Sequence, residues 1–308
     1  MFGYRPDGKI VKDIDPIQRI IPHIMPTRND AQNMTQYDCP CEHMDAFIIE
    51  QSDKGTEYNY MHLVIAAMVR VYARFPRLNR FVINGRIFQH NEIQVSFVVK
   101  KNLSPDAPDA LVKLNFTGLE TLQEVQQKID AAIDANNNIE ANNGTDKIAR
   151  ILTMTPNFLI KVMVGFIKLL DKHGMLPKAI INLSPFHTSL FLTNLKSIKG
   201  PAIYHHLYNF GTTGIFMAMG KESEVPVVKG NGEIVVGKRM PIQIVTDERF
   251  CDGFYFVSAM KFWQRLLKHP DQMMVPLEAL TKDVQVIFGR RVREYQKQEE
   301  EKLNKIAE

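Results

Sequence analysis

Cysteine is scarce in this sequence: its 308 residues include only three, Cys39, Cys41 and Cys251. So low and odd a number builds no disulfide framework, which fits a reducing compartment and a cytoplasmic protein. Neither sign of charge dominates, since Lys+Arg 38 against Asp+Glu 34 leaves a net charge of +4. No basic stripe is interleaved with aromatics, so nucleic acid is not expected as a partner. Long apolar runs are missing too. The longest, Phe158 to Leu170, is broken by Lys161 and Lys168, and it falls short of the roughly 20 residues that span a bilayer. Residues Met1 to Lys9 are polar and turn-forming where a signal peptide carries its apolar segment, so secretion is not expected. What remains is 45% hydrophobic, 23% charged and 9% aromatic, the balance of an ordinary globular protein rather than a disordered one.

Hydrophobic periodicity outlines the elements. Residues 59–75 carry apolar residues at helical spacing up to Pro76 and read as a buried helix. Phe81–Phe88 and Glu92–Lys101 read as strands, the second because Ile93, Val95, Phe97 and Val99 alternate with their neighbours. Ala110–Thr117 reads as a third. Thr121 and Glu124 form a capping-box pattern that opens a helix to about Ala135, and the Asn-rich stretch Ala135–Thr145 reads as an exposed loop. Lys147–Lys172 reads as one or two apolar helices interrupted at Pro156. Short strands follow at Thr188–Thr193, Gly214–Gly220, Val225–Lys229, Glu233–Val236 and Pro241–Thr246, with a hairpin turn at Gly230-Asn231-Gly232. A helix is expected from Gly253 to about Leu267. Asp283–Glu308 is charged on most faces and reads as a solvated helix.

The last strand runs into Thr246-Asp-Glu-Arg-Phe-Cys-Asp-Gly253, a strand-to-helix corner dense in polar groups. This segment resembles the His-x-x-x-Asp-Gly signature of the dihydrolipoyl acyltransferase and chloramphenicol acetyltransferase superfamily, written Asp-His-Arg-x-x-Asp-Gly in the former. Asp247, Arg249, Asp252 and Gly253 match, and Glu248 stands where the family places its catalytic histidine. Neighbouring pieces agree in order. Phe75-Pro-Arg-Leu-Asn79 resembles the family's Pro-x-x-Asn step, His90–Val99 its following strand, and Phe191-Leu-Thr-Asn-Leu195 its Ser-Asn-Leu segment. Gly230–Lys238 resembles the hairpin before the signature. The likeness covers roughly residues 15–268, with 136–186 poorly accounted for.

The resemblance implies an α/β fold, an α+β two-layer sandwich with the chloramphenicol acetyltransferase-like mixed sheet packed with helices. It implies an N-terminal arm (1–14), a catalytic domain (15–268) with a helical insertion at about 146–175, and a charged extension (269–308). With no lipoyl-bearing segment ahead of it, the chain is expected to be a stand-alone acyltransferase rather than a complete subunit of a dehydrogenase complex. The implied reaction moves an acyl group between a coenzyme A thioester, as co-substrate, and a thiol or hydroxyl acceptor. The alternative is an inactive relative kept as an oligomeric binding or scaffold protein. In the family the site lies between subunits, so a homotrimer or an assembly of trimers is implied. Small-molecule donor and acceptor are the expected partners, and a membrane is not.

In the family a histidine deprotonates the acceptor and a serine hydroxyl donates to the tetrahedral oxyanion. The resemblance gives Thr193, followed by Asn194, the second task. The base is either Glu248, whose carboxylate burial would make more basic, or one of the adjacent histidines His205 and His206. On a strand those two would point to opposite faces. Glu248 paired with Arg249 or another cation, with the inherited chemistry absent or moved, is the competing reading. Asp252 is either a helix N-cap or, as in the family, a lock on an arginine, with Arg19 and Arg28 both available. Cys39, Cys41 and His43 would share one face of an extended strand but lack the spacing of a zinc site, so no metal is expected. Cys251 is expected to pack beneath the corner. The insertion 147–172 carries more apolar positions than one helical stripe buries. Its own sheet, a neighbouring subunit, a lid over the site and a membrane surface are the candidate covers.

Overall fold

A computed structural model describes residues 5–100, 109–138 and 155–277. The elements run β1 (Gly8–Ile10), α1 (Pro16–Ile24), β2 (Gln32–Pro40), α2 (Glu42–Asp53), α3 (Tyr60–Arg74), β3 (Arg80–Ile83), β4 (Arg86–His90), β5 (Ile93–Lys100), β6 (Asp109–Phe116) and α4 (Leu122–Asn138). They continue with α5 (Asn157–Lys172), α6 (Lys178–Leu183), β7 (Leu190–Asn194), β8 (Ile215–Met219), β9 (Ser223–Val228), β10 (Ile234–Asp247) and α7 (Gly253–Lys268). The principal sheet has the order β2-β10-β8-β7-β5-β6, with β9 paired to the first half of β10. Strands β5, β7 and β8 are parallel, and β10 runs antiparallel to β8 and β2. A small sheet, β1-β4-β3, lies apart.

The core occupies one face of the principal sheet. Helix α3 is its centre: every residue from Tyr60 to Ala73 is buried. It starts on a capping box in which Asn59 Oδ1 accepts from the His62 amide (3.1 Å) and the Asn59 amide donates to His62 Nδ1 (3.2 Å). Val64, Ile65, Met68 and Val71 of α3 share one apolar cluster with Val125 and Ile129 of α4, Trp263 and Leu266 of α7, and Ile242 and Ile244 of β10. The capping box at Thr121 forms as read from the sequence, its amide donating to Glu124 Oε2 at 2.8 Å. On the other sheet face Phe191, Phe216 and Val245, side by side on β7, β8 and β10, form a second, smaller buried cluster with Leu207.

Several boundaries differ from the expectations. Phe81–Phe88 is two strands, because Asn84 (φ 51°) and Gly85 (φ 70°) make a tight turn of the left-handed kind that closes two-residue hairpins. The runs at Glu233–Val236 and Pro241–Thr246 are one strand, β10, which passes through Pro241. Pro241 sits just past the end of β8, where its carbonyl accepts from Gly220 (2.9 Å) and no amide is needed for a continuing ladder. The stretch before residue 15 is not a separate arm: Gly8–Ile10 pairs with β4, and buried Arg5 binds Asp7 (2.9 Å) and Asp171 (2.7 Å). Nor does the fold stop at 268. Buried Arg70 of α3 donates to the carbonyls of Gln272 (3.1 Å), Met273 (3.0 Å) and Val275, which draws 270–275 onto the core. The Asn-rich stretch is helical as far as Asn138. The remainder of that stretch, the 147–154 part of the insertion, and Asp283–Glu308 lie outside the described residues.

Candidate active site

The corner begins where β10 ends. Asp247 is fully buried, and its carboxylate is the hub of a charged cluster. It takes two parallel bonds from Arg249, Nε at 2.8 Å and Nη2 at 2.7 Å, and accepts the Arg249 amide at 3.2 Å. Arg28 Nε stands 3.5 Å from the same carboxylate. Arg28 also donates to the carbonyls of Tyr208 (2.5 Å) and Gly211 (3.0 Å), while its amide donates to Asn209 Oδ1 (2.9 Å). Burial lowers the Arg28 pKa and Asp247 offsets part of that effect. Gly211 is required here, since its φ is +84° and a Cβ would lie 2.1 Å from the Phe186 carbonyl oxygen.

This cluster settles three readings. Arg249 pairs with Asp247, not with Glu248. Arg28, not Arg19, is the buried arginine of the corner, and its partner is Asp247. Asp252 pairs with no arginine among the described residues: its Oδ1 accepts the Tyr255 amide at 2.8 Å, so it is the N-cap of α7. Gly253 follows as the first residue of that helix.

Glu248 is exposed and, among the described residues, has no hydrogen bond or ion pair. Its side chain lines a cavity of about 710 Å³ together with Asp13, Asp15, Arg77, Arg80, Arg249 and Asp252. Asp15 caps α1 (2.9 Å) and Arg249 is bound to Asp247, so their charges are committed. Arg77 and Arg80 have no carboxylate partner among the described residues. Burial, then the neighbouring charge of Arg77, lowers the Arg80 pKa, the condition of two cations that lack a counter-ion. The sequence placed Arg77 in the Pro-x-x-Asn step but assigned neither arginine a task. Two arginines three apart, one inside the Pro-x-x-Asn turn and one at the start of β3, were the available signal. Cys251 also lines the cavity, but burial pushes its thiol up to about 12, so it is no nucleophile at neutral pH.

The other candidates lie elsewhere. Thr193 and Asn194 end β7; Thr193 is half-buried and unbonded among the described residues, while Asn194 Oδ1 caps the following turn by accepting from Ser197 (3.3 Å). Thr193 is level with Ala218 of β8, and Ala218 with Gln243 of β10. Glu248 is five residues beyond Gln243, and at about 3.3 Å per residue that puts Thr193 and Glu248 roughly 15 Å apart or more. They do not meet within one chain. The segment 201–208 carries no regular structure, so strand alternation does not apply to His205 and His206. Their rings stack at 4.7 Å, and that of His205 lies flat on Phe216 at 4.0 Å. His205 Nδ1 is 2.9 Å from the His206 carbonyl oxygen. A carbonyl only accepts, so Nδ1 carries the proton in the neutral ring and Nε2 keeps its lone pair. Thr193 is on the same sheet face as Phe191, and His205 stacks on that face, so the candidate residues fall in two separate places: Glu248 at the corner, and Thr193 with His205 on the second sheet face.

Cys39 and Cys41 are buried free thiols. His43 is in α2 and not on the strand, so the three do not share a face. No group of three or more His, Cys, Asp or Glu able to hold a metal ion occurs among the described residues.

This arrangement of mixed sheet and one-sided helical layer is the chloramphenicol acetyltransferase-like fold. The chain superposes on a probable dihydrolipoamide acetyltransferase from Listeria monocytogenes 4b F2365 with a TM-score of 0.54 at 10% identity, covering 89% of this chain and 96% of the other. The dihydrolipoamide acetyltransferase of Azotobacter vinelandii gives 0.52 at 14% identity over 86% and 95%. A chloramphenicol acetyltransferase gives 0.50 at 11% over 85% and 100%. Residues 209–275 match the family described as 2-oxoacid dehydrogenases acyltransferase (catalytic domain), and the chain resembles that domain in sequence order and in fold. No curated protein matches the sequence significantly.

Proposed function

We propose that the protein transfers an acyl group between a coenzyme A thioester and a thiol or hydroxyl acceptor, at a site completed between protomers of a homotrimer. The observation that carries this reading is the free carboxylate of Glu248 at the signature corner, on the wall of a cavity that also presents Arg77 and Arg80, neither paired with a carboxylate among the described residues. Support comes from the Azotobacter enzyme, whose catalytic mechanism was investigated through a serine, a histidine and, four positions after the histidine, an asparagine. Glu248 and Asp252 have that spacing.

Glu248 takes the acceptor's proton, because a neutral thiol or alcohol is a poor nucleophile. The acceptor attacks the thioester carbonyl, and Thr193 of the neighbouring protomer donates to the oxyanion. Collapse breaks the C–S bond and expels coenzyme A as a thiolate, which recovers the proton from Glu248. Arg77 and Arg80 supply the charge that a phosphate-bearing donor requires. Docking a neighbour on the second sheet face brings Thr193 to a corner it cannot reach within its own chain. His205, with its free Nε2 on the Thr193 half-site, is the second candidate for the base. That Glu248 is exposed in the protomer favours the other reading, an inactive relative with a scaffold role, if no assembly covers it.

Thermal-shift measurements with free and acetylated coenzyme A separate the two. A ligand bound only by the folded state adds about 2.7 kcal/mol at a concentration a hundred times its Kd, and Arg80→Gln should reduce the shift. No shift with either ligand argues against the thioester donor. A monomer of 35.3 kDa by light scattering at micromolar concentration argues against the shared site.

A further inference from the structure

The helical insertion leaves its apolar residues uncovered. On α5, Phe158, Val162 and Phe166 are 65%, 65% and 59% exposed, with Leu159, Met163 and Leu169 also open; beyond it Met175, Ile180 and Leu183 are exposed, the last by 86%. These side chains are not covered by the sheet, and among the described residues none from α5 or α6 lines the Glu248 cavity, so neither helix is a lid over it in the protomer. The hairpin is nonetheless fixed in place. Asp171, buried at the end of α5, binds Arg5 at 2.7 Å and lies 3.2 Å from His187; Leu176 and Ile181 are buried, and Lys113 donates to the Ile181 carbonyl at 3.0 Å. The exposed apolar arc is therefore a held surface.

Its charge is of one sign. From Thr155 to Leu183 the sequence has four lysines and a single acidic residue, Asp171, whose carboxylate is already used. Lys161, Lys168 and Lys172 fall in one stripe beside the apolar arc at helical spacing, and exposed Lys178 opens α6. An exposed apolar arc whose uncommitted charges on α5 and α6, among the described residues, are lysines is complementary to an apolar interior beneath anionic head groups, with lysine stems reaching up to the charge. A twofold contact of this face with itself would set lysine against lysine. No helix among the described residues is long and apolar enough to cross a membrane, which leaves docking in the plane of the interface.

We propose that α5 and α6 dock the protein on an anionic lipid surface, with Phe158, Val162, Phe166 and Leu183 inserted and Lys161, Lys168, Lys172 and Lys178 at the head groups. This reverses the expectation, drawn from the sequence, that a membrane is not a partner, and it is independent of the catalytic reading. The test is co-sedimentation of the full chain with phosphatidylcholine vesicles containing or lacking phosphatidylserine. Binding is expected with the anionic vesicles alone, and it should weaken with salt. Changing all four lysines to glutamine should weaken it on the order of 10³-fold, at about 1 kcal/mol per lysine. Phe158→Ser with Phe166→Ser should abolish it while the oligomeric mass and thermal midpoint stay unchanged, since both side chains are exposed. No binding to anionic vesicles overturns the proposal. So does binding that the serine pair leaves intact, or a serine pair that dissociates the oligomer, which would assign this face to a second copy of the chain.

Discussion

Asp247→Asn and Asp252→Asn should behave oppositely to what the family's signature suggests. In the signature the aspartate before the glycine locks an arginine, which makes position 252 the sensitive one. Here that aspartate only caps a helix, and the arginines gather on Asp247. Asparagine at 247 keeps the shape and removes the charge, leaving Arg28 and Arg249, 3% and 2% exposed, facing each other without an anion. Removing one member of a buried pair costs about 3–5 kcal/mol, a large part of a total stability of roughly 5–15 kcal/mol. Asparagine at 252 accepts the Tyr255 amide as well as aspartate does, so the loss there is about 0.5 kcal/mol or less. Guanidinium chloride unfolding at fixed protein concentration reads both, as a fall in midpoint with an unchanged slope. A loss at 252 equal to that at 247, or a nearly neutral Asp247→Asn, refutes the placement of the lock.

Glu248→Gln and Thr193→Ala should each lower acyl transfer without lowering the thermal midpoint, by about 10²–10⁴-fold for the base and 10²–10³-fold for the oxyanion donor; unchanged turnover in Glu248→Gln passes the base role to His205, read by His205→Gln. His90 is buried against Phe81 at 4.4 Å, and burial depresses its pKa to about 4. Its unfolded pKa is about 6.5, so the unfolded chain binds the extra proton first: stability is full above about pH 6.5 and falls toward pH 4 by on the order of 3 kcal/mol. In His90→Leu that slope should disappear from the pH dependence of the midpoint.

Much of the fold was legible because its signals are local. The apolar period of α3, the Thr121 capping box and the Gly230–Gly232 turn each specify their element within a few residues, and each forms. The misreadings also have local causes. Asn84-Gly85 is a strong hairpin signal lying inside an apolar run, and Pro241 looks like a strand break until its place beyond the end of β8 is known. The site was legible in part: the corner and its Asp-Gly step stand in one segment. Arg28 and Asp247 are more than two hundred residues apart, and no periodicity brings them together. Glu248 and Thr193 lie on different strands of the sheet and far apart in the protomer, and no local sequence signal relates the two positions.

The shared site is tested most directly by mixing the two inactive variants. Glu248→Gln and Thr193→Ala protomers are unfolded together, refolded in equal amounts, and assayed for release of coenzyme A thiol from acetyl-coenzyme A in the presence of dihydrolipoamide as acceptor probe. In a trimer whose sites lie between neighbours, an interface is intact when the Thr193→Ala protomer supplies Glu248 and the Glu248→Gln protomer supplies Thr193, so about a quarter of the wild-type activity returns. Activity no higher than that of the two parents, in a mixture shown by mass to contain mixed trimers, contradicts a site built from Glu248 of one protomer and Thr193 of the next.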